Sequence, residues 1–146
     1  MTVANSARPI LLVDDSVADR FLTIRALKKH RLRNPIIELK DGDAAVDYIF
    51  QRGEYEGAAR PLLVLLDLHM PGIDGHEVLN QIKTNPDTRS IPVVMLTSSK
   101  DQADVAAAYN KYANAYIVKP VGLQNMIEVM ATLGDFWLEI VQRPDS

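Results

Sequence analysis

The sequence contains no cysteine, which excludes disulfide bonds, thiolate metal sites and a cysteine nucleophile. No stretch approaches the roughly 20 apolar residues that a membrane-spanning helix needs, and the first residues lack the apolar segment of a secretory signal peptide. Basic residues are not in excess: 16 lysines and arginines face 19 acidic residues, and the net charge is -3. This balance argues against a surface for nucleic acid or anionic membrane. We therefore expect a cytoplasmic protein that binds neither nucleic acid nor membrane.

The length of 146 residues suits a single domain. A chain of this size buries roughly two thirds of the surface that its unfolded form exposes, so it folds without disulfide support. The apolar fraction of 47% and the charged fraction of 24% are those of an ordinary globular protein. We expect one domain over residues 1–146.

Short runs rich in valine, isoleucine and leucine alternate with amphipathic segments along the chain. The apolar runs predict five strands, at residues 10–13, 36–39, 62–66, 93–96 and 115–118. Signals for the start of a helix follow the strands, at or near Ser16, Asp41, Asp74, Asp101 and Gly122. The first of these helices is expected to end at His30. The repeated β-α pattern predicts an α/β fold in which helices cover both faces of a parallel sheet.

Asp67 follows the most apolar run of the chain, residues 61–66. A uniform run of leucine and valine predicts a strand buried on both faces, which is typical of parallel sheets. Open parallel sheets carry their ligand sites outside the carboxyl ends of the strands, and Asp67 lies at such an end. Taken alone, Asp67 is better explained as an ordinary loop residue.

Three further strand ends carry polar residues. Asp14 and Asp15 follow the first strand, Thr97 follows the fourth and Lys119 the fifth. Each has an ordinary explanation by itself, as a helix cap, a strand residue or a solvated lysine. Together, the carboxylates would repel one another unless a hard cation such as Mg²⁺ neutralised them. With an ammonium and a hydroxyl beside them, the set has the parts needed to receive a phosphoryl group on Asp67.

A family resemblance rests on four segments, which are ILLVDDS at residues 10–16, LLDLHMPG at 65–72, VMLTS at 94–98 and YIVKP at 116–120. Over residues 9–133 the chain resembles the receiver domain of two-component response regulators, and residues 134–146 form a C-terminal aromatic extension. The resemblance implies a flavodoxin-like, doubly wound (βα)5 three-layer sandwich with strand order 2-1-3-4-5. It also implies a phosphoprotein carrying 4-aspartylphosphate that catalyses only its own phosphorylation and dephosphorylation.

The resemblance implies roles at the strand ends. Asp67 would accept the phosphoryl group from the phosphohistidine of a sensor histidine kinase. Mg²⁺ is the implied cofactor, and its ligands would be Asp14, Asp15, Asp67 and the backbone carbonyl of His69. Lys119 would pair with the phosphoryl group.

The same resemblance implies a switch. Thr97 would move to hydrogen-bond the phosphoryl group, and Tyr116 would change rotamer with it. His69, Ser98 and Ser99 would flank the phosphoryl group, which predicts a phosphoryl lifetime particular to this protein. An exposed loop position without a kinetic role is an equal alternative for His69.

Two backbone expectations follow from the resemblance. The bond between Lys119 and Pro120 is expected to be cis, a state largely reserved for bonds that precede proline. Tyr112 stands where receiver domains usually have a glycine that ends the fourth helix. A bulky residue is a poor left-handed cap, so this helix is expected to end differently here.

Only 26 residues follow Pro120, too few for a DNA-binding module, so the output is expected to pass through protein contacts. Residues 51–57 and the apolar tail at 135–141 resemble the single-domain regulators paired with bacterial and cyanobacterial phytochromes. That subgroup implies a bacteriophytochrome-type kinase as partner and a homodimer through the fourth helix, fifth strand and fifth helix. The expected dimer contacts are Tyr109, Met126, Met130, Phe136 and Trp137. Packing of the two aromatic residues back onto their own domain is the alternative.

The first helix offers two apolar faces, and one of them is expected to pack on the sheet. The other, with Phe21 and Ile24, is a candidate surface for docking a kinase.

Three other classes compete with this interpretation. An aspartyl-phosphate phosphohydrolase of the haloacid dehalogenase type would place a second aspartate two residues after its nucleophile, where this chain has His69. A flavin or nucleotide carrier would need glycines or hydroxyls after the first strand, where this chain has Asp14 and Asp15. A degenerate receiver that serves only as a scaffold would not need the complete acidic, hydroxyl and lysine set.

Overall fold

A computed structural model describes residues 8–29 and 34–141, without the side chains of residues 136–141; His30, the expected end of the first helix, lies outside this description. The strands are β1 (Ile10–Val13), β2 (Ile36–Leu39), β3 (Leu63–Leu66), β4 (Val93–Thr97) and β5 (Ala115–Val118). The helices are α1 (Val17–Lys29), α2 (Gly42–Ile49), α3 (Gly75–Thr84), α4 (Gln102–Asn110) and α5 (Leu123–Val141). A short 3-10 turn at Gly53–Tyr55, which the sequence did not predict, follows α2.

The five strands form one parallel sheet in the order β2-β1-β3-β4-β5, which confirms the predicted fold class and strand order. The register decides which residues meet at the carboxyl edge. Val13 pairs with Leu66, so the residues that follow them, Asp14 and Asp67, emerge side by side. Thr97 pairs with Val118, which places Lys119 next to the end of β4.

Alternate residues of each strand pack into two separate apolar clusters. Leu11 and Val13 face α2, α3 and α4, whereas Ile10 and Leu12 face α1 and α5. Both faces of the sheet are therefore covered, and every residue of β1, β3 and β4 is buried. This explains why these strands are uniformly apolar runs rather than alternating ones.

The structure corrects the predicted dimer contacts Met126 and Met130. Their side chains are 1% and 0% exposed and pack with Leu133 against the sheet. These residues recur at the spacing of one helix face, so they form the stripe that holds α5 in place. The helix then runs without a break through buried Gly134 to Val141, past the expected boundary between core and extension.

Helix α4 ends at a left-handed residue, although a bulky side chain is a poor choice for this position. Tyr112 has φ 67°, and its N–H donates to the Tyr109 carbonyl at 3.0 Å. The N–H of Ala113 donates to the Ala108 carbonyl at 3.1 Å, which completes a Schellman motif. The expectation of a different helix end was wrong because these two hydrogen bonds hold a bulky residue in a conformation that glycine usually occupies.

The expectation of a cis bond before Pro120 was also wrong. No peptide bond is cis in the described ranges. The N–H of Lys119 donates to the Thr97 carbonyl at 2.8 Å, which continues the pairing of β4 with β5, and the bond that follows is in the intrinsically preferred trans state. Among the described residues, no helix combines the length and apolar character that crossing a membrane requires.

Candidate functional site

Three acidic side chains meet at the carboxyl ends of β1 and β3. The N–H of Asp67 donates to the Val13 carbonyl at 3.0 Å, which ties the two strand ends together. Asp14 is 2% exposed and Asp67 7%, whereas Asp15 faces solvent. One carboxylate oxygen from each of the three lies within 4.8 Å of the others. The structure thus brings together Asp14, Asp15 and Asp67, as the sequence predicts.

Lys119 provides the positive charge of the site. Its Nζ lies 2.7 Å from Asp14 Oδ2, 2.8 Å from Asp19 Oδ2 and 3.1 Å from Asp67 Oδ2. The three N–H bonds of the ammonium therefore face three carboxylates. Asp19, in the first turn of α1, is a site residue that the sequence analysis missed.

Burial and ion pairing oppose each other in this cluster. Burial lowers the pKa of Lys119, but the hydrogen bonds to Asp14 and Asp19 outweigh it, so the pKa lies above the usual range. Burial raises the pKa of Asp14; the hydrogen bonds to Lys119 and Ser16 offset this only in part, and the charge of Asp67 adds slightly to the rise. One ammonium thus leaves the carboxylate cluster incompletely neutralised, which favours a cation as a further partner.

Backbone groups fix the orientation of Asp67. Its Oδ1 accepts a hydrogen bond from the Leu68 N–H at 2.7 Å, and its Oδ2 faces Lys119. The N–H of Gly75 donates to the Leu68 carbonyl at 2.8 Å, which draws the start of α3 against this loop. A Cβ on Gly75 would collide with the Asp67 carbonyl, so this close approach requires glycine.

Asp14 is held by the start of α1. Its Oδ1 accepts from the Ser16 N–H at 2.9 Å, and the Ser16 hydroxyl in turn accepts from the Asp19 N–H at 3.2 Å, as a helix N-cap does. The guanidinium of Arg20 donates to the Asp14 carbonyl and pairs with Glu38 of β2. These contacts fix the backbone and the carboxylate of Asp14 so that its side chain points into the site.

The predicted switch residues lie on the β4–β5 side of the site. Thr97 is fully buried, and its Oγ1 accepts from the Ser99 N–H at 3.3 Å. Tyr116 donates its hydroxyl proton to the Ser99 carbonyl at 2.9 Å. Ser99 therefore connects Thr97 to Tyr116 through its two backbone groups, and Ser98 beside it is exposed.

The predicted phosphoryl-flanking residues His69 and Ser99 converge on a carboxylate that the sequence analysis also missed. Ser99 Oγ donates to Asp104 Oδ2 at 2.6 Å, and His69 Nε2 lies 3.6 Å from the same oxygen. Asp104 Oδ1 meets His76 Nε2 at 3.1 Å. The signal available in the sequence was position: Asp19, His76 and Asp104 all lie in the first turns of helices that start at the carboxyl edge of the sheet.

The expected contact surfaces are only partly exposed. Phe21 is 62% exposed, whereas Ile24 is half-buried and packs against the α1–α5 side of the core. Tyr109 is 50% exposed on α4. The side chains of Phe136 and Trp137 lie outside the described residues.

The donor set at the carboxyl edge suits Mg²⁺. Carboxylate and carbonyl oxygens are hard ligands, and Mg²⁺ sites usually combine one or two carboxylates with water. The exposed side chain of Asp15 leaves the cluster open to solvent. The structure supports Asp14, Asp15 and Asp67 as the protein ligands.

Comparisons with known proteins agree with this geometry. Residues 10–131 match the response regulator receiver domain family. The response regulator Rcp1 of a Synechocystis strain is 44% identical over 141 residues, which cover 97% of this chain and 96% of Rcp1.

Two solved structures are also similar. The phosphorylated cyanobacterial phytochrome response regulator RcpA has a TM-score of 0.87 at 37% identity, and the match covers 94% of this chain and 99% of RcpA. The Mn²⁺-bound form of Rcp1 has a TM-score of 0.85 at 44% identity, with the same coverage. A fold with this strand order, an acidic site at its carboxyl edge and a family match across most of its length lead to one conclusion. The chain belongs to the response regulator receiver domains of two-component signalling, with relatives among the phytochrome-associated regulators.

Proposed function

We propose that Asp67 is the residue that accepts the phosphoryl group, from the phosphohistidine of a sensor histidine kinase. A carboxylate oxygen of Asp67 would attack phosphorus, the phosphorus–nitrogen bond would break, and the histidine would leave with the bonding electrons. The observation that carries this assignment is the position of Asp67 between Lys119 and the acidic pair Asp14 and Asp15. Bound Mg²⁺ would neutralise charge on the phosphoryl oxygens.

The remaining site residues divide into two roles. Lys119, already 3.1 Å from Asp67 Oδ2, would pair with a phosphoryl oxygen. Thr97 would rotate its hydroxyl towards the phosphoryl group and give up the hydrogen bond from the Ser99 N–H. Because Tyr116 is bound to the carbonyl of the same serine, its ring would move when Ser99 moves. His69, Ser98 and Ser99 would flank the phosphoryl group on Asp67, and the backbone carbonyl of His69 would be a ligand of Mg²⁺.

A direct test uses acetyl phosphate with Mg²⁺ and intact-mass measurement. We expect the mass of one phosphoryl group to be added to the parent and not to Asp67→Asn. The parent should not be phosphorylated when Mg²⁺ is chelated before acetyl phosphate is added. A modification that persists in Asp67→Asn would refute Asp67 as the acceptor, and no modification of the parent would refute a working switch. A phosphohydrolase is not favoured, because His69 occupies the position of its second aspartate.

We propose that the partner is a phytochrome-type sensor histidine kinase and that the protein works in the cytoplasm. Support comes from the names of the relatives, which are response regulators of phytochromes. Docking would use Val17 and Phe21, which are 71% and 62% exposed and lie four residues apart on one face of α1. The half-buried Ile24 would contribute at the edge of this face.

Docking can be separated from chemistry by comparing two phosphoryl donors. We expect Phe21→Ala to slow phosphotransfer from a bacteriophytochrome kinase about tenfold or more, as interface anchors do. The rate with acetyl phosphate should stay at the parent value. Val121→Ala, at a residue that is 88% exposed beyond Pro120, is the matched control. If Phe21→Ala lowers the phosphorylation rate equally with both donors, the substitution has damaged the phosphorylation site rather than a docking surface.

We further propose a homodimer through α4, β5 and α5. A groove of about 750 Å³ runs between β5 and α5, and its lining includes Ile117, Val129 and Leu133. The strand beside it is at the edge of the sheet, and exposed Tyr109 lies on neighbouring α4. An apolar groove beside an exposed aromatic residue suits a second copy of the same face.

Sedimentation velocity tests this assembly. We expect Val129→Asp to shift the protein towards monomer, because the charge would be buried without a partner. Trp137→Ala tests the tail, and Val121→Asp is the control for added charge. A parent that is monomeric at high concentration, or a Val129→Asp variant as dimeric as the parent, would contradict the proposal.

A further inference from the structure

Asp104 of α4 collects polar contacts from three separate parts of the chain. Its Oδ2 accepts from Ser99 Oγ in the β4–α4 loop at 2.6 Å and lies 3.6 Å from His69 Nε2 in the β3–α3 loop. Its Oδ1 lies 3.1 Å from Nε2 of His76, in the first turn of α3. The Asp104 carboxylate thus joins His76 of α3 to Ser99 and His69, two of the residues predicted to flank the phosphoryl group.

His76 fixes the orientation of this carboxylate. The other ring nitrogen of His76, Nδ1, is buried and has no hydrogen-bond partner among the described residues. A proton placed there would be buried without an acceptor, so Nε2 carries the proton and donates it to Asp104 Oδ1. The hydrogen bonds from Ser99 and His76 hold the pKa of Asp104 below its usual range. Asp104 is therefore an acceptor only, with Oδ2 turned towards Ser99 and His69.

This arrangement engages the hydroxyl of Ser99 and places the ring of His69 beside the same carboxylate. A serine hydroxyl has one proton to donate, and Ser99 donates it to Asp104. The backbone of Ser99 is fixed as well, by Thr97 on its N–H and by Tyr116 on its carbonyl. The ring of His69 is 68% exposed, and its Nε2 points to the same carboxylate oxygen. Both side chains are therefore directed towards Asp104.

We propose that Asp104 is a positioning residue that holds Ser99 and His69 away from the phosphoryl group on Asp67 and so prolongs the life of that group. The inference rests on the proposed role of Asp67. Loss of the phosphoryl group requires a water oxygen to attack phosphorus, the bond from phosphorus to the Asp67 oxygen to break, and the water protons to pass to phosphate and solvent. A freed hydroxyl or imidazole beside the phosphoryl group would orient this water.

The test measures the rate at which phosphorylated protein loses its phosphoryl group after acetyl phosphate is removed and Mg²⁺ is kept. We expect Asp104→Ala to lose it about fivefold faster or more, the change in rate that corresponds to one hydrogen bond. Asp104→Asn keeps an oxygen that accepts from Ser99, so its rate should lie between those of Asp104→Ala and the parent. If Asp104→Ala does not fold, Asp104→Asn alone tests the proposal, and its phosphoryl group should still be lost faster than that of the parent.

Two comparisons separate positioning from a general loosening of α4. Asp101→Ala removes the side-chain N-cap of α4 but keeps the Asp101 backbone N–H that donates to Ser99 Oγ at 3.3 Å, and it should lose the phosphoryl group at the parent rate. In a His69→Ala, Ser99→Ala background, the Asp104→Ala change should have no further effect. The proposal is overturned if Asp104→Ala decays at the parent rate, if Asp101→Ala decays equally fast, or if the acceleration persists in the double background. Failure of the parent to accept a phosphoryl group would instead overturn the role of Asp67.

Discussion

The phosphoacceptor candidate Asp67 depends on a residue without a side chain. Gly75 lets the start of α3 approach the Asp67 backbone so closely that no Cβ fits between them. The loop that carries Asp67 is therefore positioned by α3 as much as by β3. A substitution at Gly75 should therefore change the rate of phosphorylation of Asp67 without removing a functional group from the site.

We expect Gly75→Ala to lower the free energy of unfolding by about 1–3 kcal/mol, the usual cost of overpacking. It should also slow phosphorylation by acetyl phosphate, because the added methyl group displaces the Asp67 backbone. Gly42→Ala is the matched control, since its Cβ would collide with the Ile73 carbonyl instead. Urea unfolding and phosphorylation rates, measured where all variants are folded, check both effects. Equal slowing in the two variants would show that lost stability alone is responsible.

The sequence predicted the site residues that follow strands and missed those that begin helices. Asp14, Asp67, Thr97 and Lys119 were predictable because parallel strands bring their carboxyl ends to one edge. Asp19 and the Asp104 network were not, because a helical side chain reaches the site only at one rotation of its helix. That rotation is set by packing against the sheet, and a single sequence does not specify it.

At the scale of elements, α4 ends in a conformation that is costly for its residue. Tyr112 adopts the left-handed conformation at φ 67° while its side chain is 76% exposed. The ring therefore gains little from burial, and the helix end is held by backbone hydrogen bonds.

We expect Tyr112→Gly to raise the free energy of unfolding by up to about 1 kcal/mol, because relief of the left-handed strain exceeds the entropy cost of glycine. Tyr109→Gly, inside the same helix, should instead lower it by about 0.5 kcal/mol. Chemical denaturation of the two variants checks the opposite signs. A loss of stability in Tyr112→Gly would mean that the ring makes a favourable contact.

Lys83 joins the end of α3 to the segments that lead into β4 and β5. Its Nζ donates to the carbonyls of Arg89 and Ile91 and to Asn114 Oδ1, at 3.0, 2.7 and 3.1 Å. Burial lowers the pKa of Lys83 to about 8, so at pH 7 most of the molecules still carry the ammonium with three donors for these three oxygens. Lys83 thus acts as a structural link on the side of the sheet remote from Asp67.

We expect Lys83→Met to lower the free energy of unfolding at pH 7 by about 1–3 kcal/mol, because it removes the donor to the part-buried Ile91 carbonyl and to two exposed oxygens. Lys100→Met, at an exposed position, should change it by less than about 0.5 kcal/mol. Thermal and urea unfolding provide the measurement. If the two variants are equally stable, water replaces the ammonium at these oxygens.

The elements themselves were largely predictable. Strand bounds agree within one residue because β1, β3 and β4 are short apolar runs between polar ends. Asp41, Asp74 and Asp101 all cap helices through their side chains, as their positions in the sequence indicate. The errors concern what the sequence pattern does not decide: the left-handed Tyr112, which backbone hydrogen bonds hold, and the inward side of α5, which tertiary packing sets.

At the scale of the whole molecule, the acidic edge links Mg²⁺ to stability. Asp14, Asp19 and Asp67 share one lysine, and Asp15 lies beside Asp14 and Asp67, so a cation that binds there relieves repulsion only in the folded state. We expect Mg²⁺ at ten times its dissociation constant to stabilise the protein by about 1.4 kcal/mol. Mg²⁺ should stabilise Asp15→Asn much less than the parent. It should stabilise Asp47→Asn, a change at an exposed position of α2, as much as the parent.

Thermal unfolding with and without Mg²⁺, at ionic strength matched with NaCl, measures the effect. An equal rise of the melting temperature in all three proteins would indicate general screening of charge rather than a bound ion.

The ion pair between Asp19 and Lys119 joins residues that are 100 positions apart. All four carboxylates of the site leave the ribosome before the lysine that partly neutralises them. Until β5 is synthesised and added to the edge of the sheet, the nascent chain carries the acidic edge without its internal counter-charge. Formation of a competent site is therefore tied to the addition of β5 to the sheet.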